Sequence, residues 1–422
     1  MQWVIALTFV VCAVLMYRRM LPALLALPLM ALVIALAAQP GQPLEALALV
    51  FGKGSTRLAG AMSNAIFGAV LAHVVAASGA GEAIVRGAAE LAGERPFTVA
   101  LILFAATALA FLALTGLGAA IMVGTIVLPI LTGVGFTPVA ATGVFLFGVS
   151  LGGAWNLANW GLFRDTLDLA VPQIAQLAAF ASGALALAAL VYIYRHSRQA
   201  RVYATAAEPP EPAPPPARRV PVATLFTPLV PVVVLLGAKA AGVDLDINAA
   251  LVLGILWGAL TSAPRALNRT LSQAVVEGVR DVAPVLWLLM AIGMVVTSLS
   301  SDLVRATMVP LMDRLVPSSA WGYVLVFGLA SPLALYRGPL NLYGLGAGLA
   351  PLLAAGMGGP LAGGALMSAG QVQGVCDPTN THNAWAAGFA GCDVNDVLRS
   401  TLPYAWAASA VALVLVAMVH GV

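Results

Sequence analysis

The chain of 422 residues is 61% hydrophobic and only 9% charged. Soluble domains carry about a quarter charged residues, and a charge at the centre of a bilayer costs several kcal/mol. The composition therefore excludes an ordinary soluble globule and predicts an all-α polytopic membrane protein. The net charge of +3 comes without a basic face outside the loops, which argues against a nucleic-acid partner. Cys12, Cys376 and Cys392 are too few and too scattered for a disulfide framework or a metal site.

Apolar runs of roughly 15–23 residues, close to the ~20 that cross a bilayer, recur along the chain. Arg18 and Arg19 follow the first run instead of preceding it. We therefore expect an uncleaved first helix with its N-terminus outside, and not a signal peptide. The runs lie at residues 3–17, 20–38, 58–79, 172–194, 222–242, 247–263, 282–299 and 401–420.

A polar, proline-rich segment at residues 195–221 separates the two halves of the chain. Its proline density excludes a helix and favours a semi-rigid linker over a docking motif for a partner. The positive-inside bias puts this linker in the cytoplasm of a bacterial inner-membrane protein, with both termini periplasmic. The arginines behind this orientation are Arg195, Arg198, Arg201, Arg218 and Arg219.

Two longer stretches, 97–165 and 319–390, are too rich in Gly, Pro and Asn to be uniform helices. They match each other at an offset of 222 residues, although Gly-rich and Ala-rich sequence also produces chance matches. Shared Gly and Pro imply shared backbone breaks, and an odd number of crossings per half inverts the second copy. The matching pairs are Gly116/Gly338, Gly124/Gly346, Pro129/Pro351, Pro138/Pro360, Gly148/Gly370 and Gly152/Gly374.

The predicted fold is thus two inverted repeats, each of about five transmembrane helices, one re-entrant hairpin and one broken helix. The repeats occupy residues 1–197 and 222–422, and residues 198–221 link them. Freed backbone groups at breaks cannot bond to lipid, so we expect the four breaks to converge on a binding site near the midplane. The hairpins lie near 97–131 and 319–353, and the broken helices near 137–165 and 360–390.

The segment Ser78–Pro96, SGAGEAIVRGAAELAGERP, resembles the region before the first hairpin of gluconate-type permeases. The paired breaks resemble the hairpin tips and interrupted helices of the ion transporter superfamily, which includes gluconate permeases and citrate and dicarboxylate carriers. The Ser-Asn-Thr signature of the sodium-dependent branch is absent: Thr115-Gly116-Leu117 stands at the first tip, and Asn380-Thr381 is a partial match. The resemblance implies carboxylate transport by a homodimer.

Arg337 stands at the predicted second tip and is a candidate ligand for a carboxylate. With Gly338 and Pro339 after it, the guanidinium offers a fork of donors beside bare backbone. The alternative is a purely structural ion pair with Asp377, the one acidic residue that we expect to be embedded. Ionisable residues inside a bilayer are functional candidates by default.

The second broken helix carries the predicted coupling-ion site. Oxygen ligands in an unwound segment suit Na⁺, whereas a buried carboxyl or an imidazole carries a proton. We favour H⁺, because the gluconate-type relatives are proton-coupled and the sodium signature is missing; no other cofactor or metal is expected. The residues are Asp377, Asn380, Thr381, His382 and Asn383.

The first half contributes neutral groups. Thr115, Gly116, Asn156 and Asn159 are candidates for binding substrate hydroxyls, together with Asn380 and Thr381 of the second half. Capping of the helix breaks is an equally good explanation of the first-half residues. We interpret Trp155 and Trp160 as core residues more readily than as gates, and His73 as a satisfied interior histidine.

These patterns predict a secondary active transporter that moves a small organic anion, a sugar acid or a di- or tricarboxylate, by alternating access. The main alternative is a Na⁺/H⁺ antiporter of the same architecture, in which Asp377 carries the exchange and Arg337 is its counter-charge. A channel is disfavoured because repeated broken helices are typical of carriers. An enzyme is disfavoured because Asp377 and His382 are the only embedded acid–base candidates and no nucleophile or cofactor motif accompanies them.

Overall fold

The computed structural model describes residues 2–18, 20–91, 95–200, 220–299, 304, 307, 316–317 and 319–421. Within these ranges the chain is helical and has no β-strand, so it is an all-α, multi-pass membrane protein. Five described helices are long and apolar enough to cross a bilayer, or six if one bent pair is a single span. Residues 201–219, the body of the predicted linker, lie outside the described residues.

The first half contains long apolar helices and a short π-helical stretch, Ala48–Gly54, that joins two of them into one span from Pro43 to Ser78. The helices are α1 (Gln2–Tyr17), α2 (Ala23–Ala38), α3 (Pro43–Leu47), α4 (Ala59–Ser78), α5 (Ala80–Leu91), α6 (Pro96–Phe111), α7 (Gly116–Gly133), α8 (Pro138–Ala154), α9 (Leu157–Leu167) and α10 (Val171–Ser197).

The described part of the second half follows the same plan, with a 3₁₀ segment at Pro264–Ala266 and a 3₁₀ turn that begins at Ser331 and is interrupted at Leu335 and Tyr336, where the backbone angles are not helical. Its helices are α11 (Val222–Leu225), α12 (Val230–Ala240), α13 (Ile247–Ser262), α14 (Leu267–Leu299), α15 (Ala320–Ala330), α16 (Gly346–Met357), α17 (Gly359–Cys376), α18 (Thr381–Ala390) and α19 (Val394–His420).

Local sequence sets several of these helix ends. Thr137 precedes Pro138, and its hydroxyl accepts a hydrogen bond from the backbone N–H of Ala140 at 3.3 Å, which caps α8. At the matching place in the second half, Gly358 has a φ of 86° and allows the sharp turn from α16 into α17. The two halves therefore start equivalent helices by different means.

The 222-residue offset extends well beyond the matched glycines and prolines. Adding it to the bounds of α2, α8, α9 and α10 gives the bounds of α13, α17, α18 and α19 to within two residues. The hairpins differ more, because α16 begins eight residues later than the offset would place it. The second hairpin tip is therefore longer than the first, and it is the tip that contains Arg337.

Contacts between the halves show that the repeat is inverted. Tyr192, late in α10, shares a hydrogen bond of 2.9 Å with Ser400, early in α19. Leu177, early in α10, and Val416, late in α19, lie against the adjacent glycines Gly363 and Gly364 of α17, so α10 and α19 run antiparallel. Partners are also exchanged between the halves: Trp287 of α14 donates to the carbonyl of Leu24 at the start of α2 at 2.9 Å. Asn248 at the start of α13 likewise donates to Ser63 of α4 at 3.0 Å. A pseudo-two-fold axis therefore lies perpendicular to the helices.

Three helices begin earlier than the apolar runs that predicted them. The run at 282–299 is the second part of α14, the run at 401–420 is the second part of α19, and the run at 58–79 is preceded by helix from Pro43. Charged residues such as Arg269 and Arg399 lower the hydropathy of the added turns. Their backbone still bonds helically, and a 33-residue helix is about 50 Å long, which is more than the hydrocarbon core.

Close packing of α6 on α8 depends on Gly148 and Gly152. A Cβ atom at Gly152 would collide with the carbonyl oxygen of Ala108 and lie 2.8 Å from the Cβ of Phe111. Small residues permit such backbone approach in membrane bundles. This contact fixes the first hairpin against the first broken helix.

We expect Gly152→Ala to destabilise the protein by about 1–3 kcal/mol, because backbone atoms of α6 would have to move. The measurement is the thermal unfolding midpoint of purified protein in detergent. Gly183→Ala in α10 is the matched control, because nothing lies within 4 Å of its added Cβ. Equal midpoints for the two variants would contradict this account of the α6–α8 contact.

Candidate functional site

Side chains from all four predicted breaks line one cavity of about 270 Å³, here called the first cavity. Helices α8 and α9 meet at a bend of 56° beside it. A membrane helix can break only where protein or water satisfies the freed backbone groups, and this cavity is such a place. The break residues on its lining are Leu114, Thr115, Gly116, Gly153, Ala154, Asn156, Asn159, Trp160, Asn341, Leu342, Gln373, Gly374 and His382.

A second cavity of about 300 Å³ adjoins the first and extends to α4 and α14. Arg337 lines this second cavity and is the one formally charged side chain on either lining in the described part of the chain. A site with a cation and no acid favours an anionic ligand. The residues common to both cavities are Thr115, Gly116, Asn159, Tyr343, Gln373, Gly374 and His382.

Asn156 ties the first break to the first hairpin tip. Its Nδ2 donates to the carbonyl oxygens of Phe111 and Leu114, each at 3.3 Å. Its Oδ1 accepts from the N–H of Ala158 at 3.1 Å and caps α9. One side chain therefore satisfies backbone groups of both elements, which is the capping explanation of this residue.

The motif Asn-x-x-Asn occurs at both breaks, as Asn156–Asn159 and as Asn380–Asn383. The side chain of the second asparagine in each motif donates to backbone carbonyls of the helix that precedes the break. Asn159 donates to the carbonyl of Gly153 at 2.9 Å, and Asn383 donates to Gly374 and Val375 at 3.3 Å. The motif is thus a shared device that satisfies carbonyls left free at the ends of α8 and α17. Its two copies are 224 residues apart, because the second break is longer.

Asp377 is fully buried at the second break. Its Oδ1 accepts from the N–H and the hydroxyl of Thr379, at 2.8 and 2.6 Å. Its Oδ2 has no hydrogen-bond partner among the described residues, and neither has the Oδ1 of Asn383. The Nδ2 of Asn383 also donates to the backbone carbonyl of Asp377 at 3.0 Å, so the two residues are in contact. The two acceptors without a partner, Oδ2 of Asp377 and Oδ1 of Asn383, therefore belong to the same short segment.

Arg337 lies in a strained loop at the second tip. Tyr336 and Arg337 both have a φ of 56°, in the left-handed region that larger residues rarely adopt. The guanidinium donates to the carbonyl of Tyr343 at 3.1 Å, and the N–H of Leu345 donates to the carbonyl of Arg337 at 3.1 Å. No described ion pair joins Arg337 to Asp377, so the structural pair that the sequence left open does not form here.

Tyr343 connects the two halves between the cavities. Its hydroxyl donates to the Oδ1 of Asn159 at 3.0 Å, and its backbone N–H donates to the Oδ1 of Asn341 at 2.8 Å. The second tip is therefore bonded directly to the first broken helix. Neither Tyr343 nor Asn341 was predicted, because an isolated uncharged residue in an apolar stretch gives little signal.

The structure brings most of the predicted site residues onto the two linings and leaves four outside both. Asp377 and Asn383 lie behind the second break, Thr381 lies in the exposed first turn of α18, and Gly338 packs against the carbonyls of Leu333 and Leu335. Those on a lining are Thr115, Gly116, Asn156, Asn159, Arg337, Asn380 and His382.

Polar residues on α17 were also missed by the sequence reasoning. Gln371 accepts a hydrogen bond from Ser150 of α8 at 2.9 Å, and Gln373 donates to Asn380 at 2.6 Å. Both glutamines line a cavity. The signal that would have found them is the presence of two amides within three residues of an otherwise apolar helix.

The tryptophans and His73 have conventional packing roles. Trp155 donates to Ser182 at 2.9 Å and Trp160 to the carbonyl of Ala154 at 2.8 Å, with their rings 5.9 Å apart. Trp160 also lines the first cavity. His73 shares a hydrogen bond of 2.9 Å with Asp281 of α14, so a carboxylate satisfies this histidine.

With its inverted repeat, paired breaks and central cavities, the chain has the fold of a known membrane transporter. It is similar to the crystal structure of the YdaH transporter of Alcanivorax borkumensis, a protein described as having an unusual topology. The TM-score is 0.63 at 16% sequence identity, over 93% of this chain and 98% of that one. No protein-family model and no curated protein sequence matches the chain. The similarity to YdaH supports a transporter and does not extend to the gluconate permeases and citrate carriers, so that resemblance stays a prediction.

We expect Asn156→Asp to destabilise the protein by several kcal/mol, because a carboxylate would face the carbonyls of Phe111 and Leu114 that the amide now satisfies. The cap on Ala158 would be kept, so the loss would report the two lost donations. Thermal unfolding in detergent measures it. Asn268→Asp, at an exposed position in the first turn of α14, is the control. An unfolding midpoint for Asn156→Asp equal to that of the control would contradict the prediction.

Proposed function

We propose that this protein is a secondary active transporter that carries a small organic carboxylate by alternating access. The observation that carries the proposal is Arg337, held at a hairpin tip on a cavity that no described acidic residue lines. A guanidinium with donors left over binds a carboxylate through charge-assisted hydrogen bonds. Only one guanidinium nitrogen, Nη1, has a described hydrogen bond, to Tyr343.

Alternating access follows from the symmetry of the halves. Two inverted copies of one scaffold can exchange conformations, so that a site between them opens to either side in turn. Here the cavities lie between the breaks of both copies, and Tyr343 and Asn159 bond across them at 3.0 Å. In this proposal that bond opens and closes as the substrate passes.

We place the coupling ion at the second break. A buried carboxylate without full pairing is costly, and Asp377 has one oxygen without a partner. A proton on that oxygen removes the charge. Sodium is the other candidate, since the Oδ1 of Asn383 is a further free acceptor, but we favour H⁺ because the sodium signature is missing. A homodimer in the bacterial inner membrane completes the proposal and rests on the family resemblance.

The test of substrate contact is Arg337→Lys, assayed by uptake of radiolabelled carboxylates into proteoliposomes. We expect uptake to fall by about 10- to 100-fold, because a lysine keeps the charge and loses the fork of donors. The amount of folded protein, measured by size-exclusion chromatography, should change little. Arg399→Lys, at an exposed position on α19, is the control. Parallel loss of uptake and folded protein would favour a structural role instead.

Coupling is tested by replacing all sodium with choline in the same assay. We expect uptake driven by an inwardly directed proton gradient to be undiminished in choline. Asp377→Asn should abolish the dependence of uptake on that gradient, while exchange of substrate across the membrane continues. Uptake that stops in choline would show obligatory Na⁺. Sodium-driven proton release without any anion would instead identify the antiporter.

A further inference from the structure

Asn341 carries an unused hydrogen-bond donor in the first cavity. The residue is 2% exposed and lines that cavity. Its Nδ2 has no hydrogen-bond partner among the described residues. A buried donor without a partner is unfavourable, so a ligand in the cavity that offers an acceptor atom to this Nδ2 gains binding free energy.

The orientation of this amide is determined by its surroundings. The N–H of Tyr343 donates to the Oδ1 of Asn341 at 2.8 Å, so a flipped amide would set two donors against each other. The backbone is held as well: the N–H of Asn341 donates to Gly338 at 3.0 Å, and its carbonyl accepts from Gly344 at 2.9 Å. The Nδ2 atom therefore stays free while the tip is folded.

The second tip thus supplies two different donors to the ligand space. Arg337 lines the second cavity, Asn341 lines the first, and Tyr343 lines both. The two cavities share lining residues, and the bond between Tyr343 and Asn159 lies between them. In the proposed cycle that bond opens, and one molecule then extends from Arg337 to Asn341. Its end at Arg337 must be an anion, and its part at Asn341 must accept a hydrogen bond.

We infer that Asn341 is a specificity-determining residue and that the substrate is a carboxylate with a second acceptor oxygen, such as a carbonyl. This inference rests on the proposed function. A site that hydrogen-bonds a substrate group rejects an analogue lacking that group, because the buried polar atom is then left unpaired. A plain aliphatic acid would satisfy Arg337 and leave Asn341 without a partner.

Isothermal titration calorimetry of the purified full chain tests this with hexanoate and with 2-, 4- and 5-oxohexanoate. The wild type should bind at least one oxohexanoate about tenfold more tightly than hexanoate, which is about 1.4 kcal/mol. Asn341→Ala should bring that ratio to about one and leave the affinity for hexanoate within about threefold. Asn341→Asp keeps an acceptor for the N–H of Tyr343 and should also abolish the ratio.

Asn64→Ala is the matched control, because Asn64 is another buried asparagine without a described partner and lines neither cavity. Its ratio should equal that of the wild type. An affinity ratio of oxohexanoate to hexanoate near one in the wild type, or a ratio that both Asn341 variants keep, would overturn this inference. Binding of hexanoate in that case would still support the proposed function. Failure of the wild type to bind any of the four acids would overturn both.

Discussion

The fold depends on hydrogen bonds to the backbone groups that are freed where helices are interrupted inside the membrane, out of reach of bulk water. Each break frees N–H and C=O groups that lipid cannot bond, and the protein answers with asparagine side chains. Asn156 bonds the carbonyls of the first hairpin, while Asn159 and Asn383 return to the helices before their breaks. Because these bonds keep the unwound segments in place, cavities can exist between them. The polar site is therefore a product of the same amides that stabilise the breaks.

The inverted halves share a scaffold and differ in charge. Helices α8 to α10 and α17 to α19 agree in their bounds at one offset, whereas Arg337 and Asp377 belong to the second half alone. The longer second tip accounts for part of this difference, because its additional residues form the strained loop around Arg337. The first half contributes packing, through Gly152, and neutral hydrogen bonds. The two halves therefore present unequal chemistry to the cavities between them.

Sequence reasoning recovered what depends on hydropathy and on glycine and proline. The all-α membrane class follows from composition. Pairs such as Pro138/Pro360 and Gly152/Gly374 revealed the offset that relates the bounds of α8 to α10 to those of α17 to α19. It missed contacts that depend on the third dimension. Nothing in the one-dimensional pattern indicates that Tyr343 bonds Asn159, or that Asn341 keeps a free donor. The helical turns from Leu267 were missed for a simpler reason, because hydropathy measures contact with lipid and not backbone conformation.

The exchange of partners between the halves has a consequence for how the chain is made. Helix α2 packs on α14, and α13 packs on α4, so each half buries its surface against the other. When the first half leaves the ribosome, those faces have no protein neighbour and remain in contact with lipid or an insertion factor. Because α13 and α14 follow the linker in the chain, these faces are covered only after the second half has begun to enter the bilayer. Late association of the two halves is therefore built into the order of the helices.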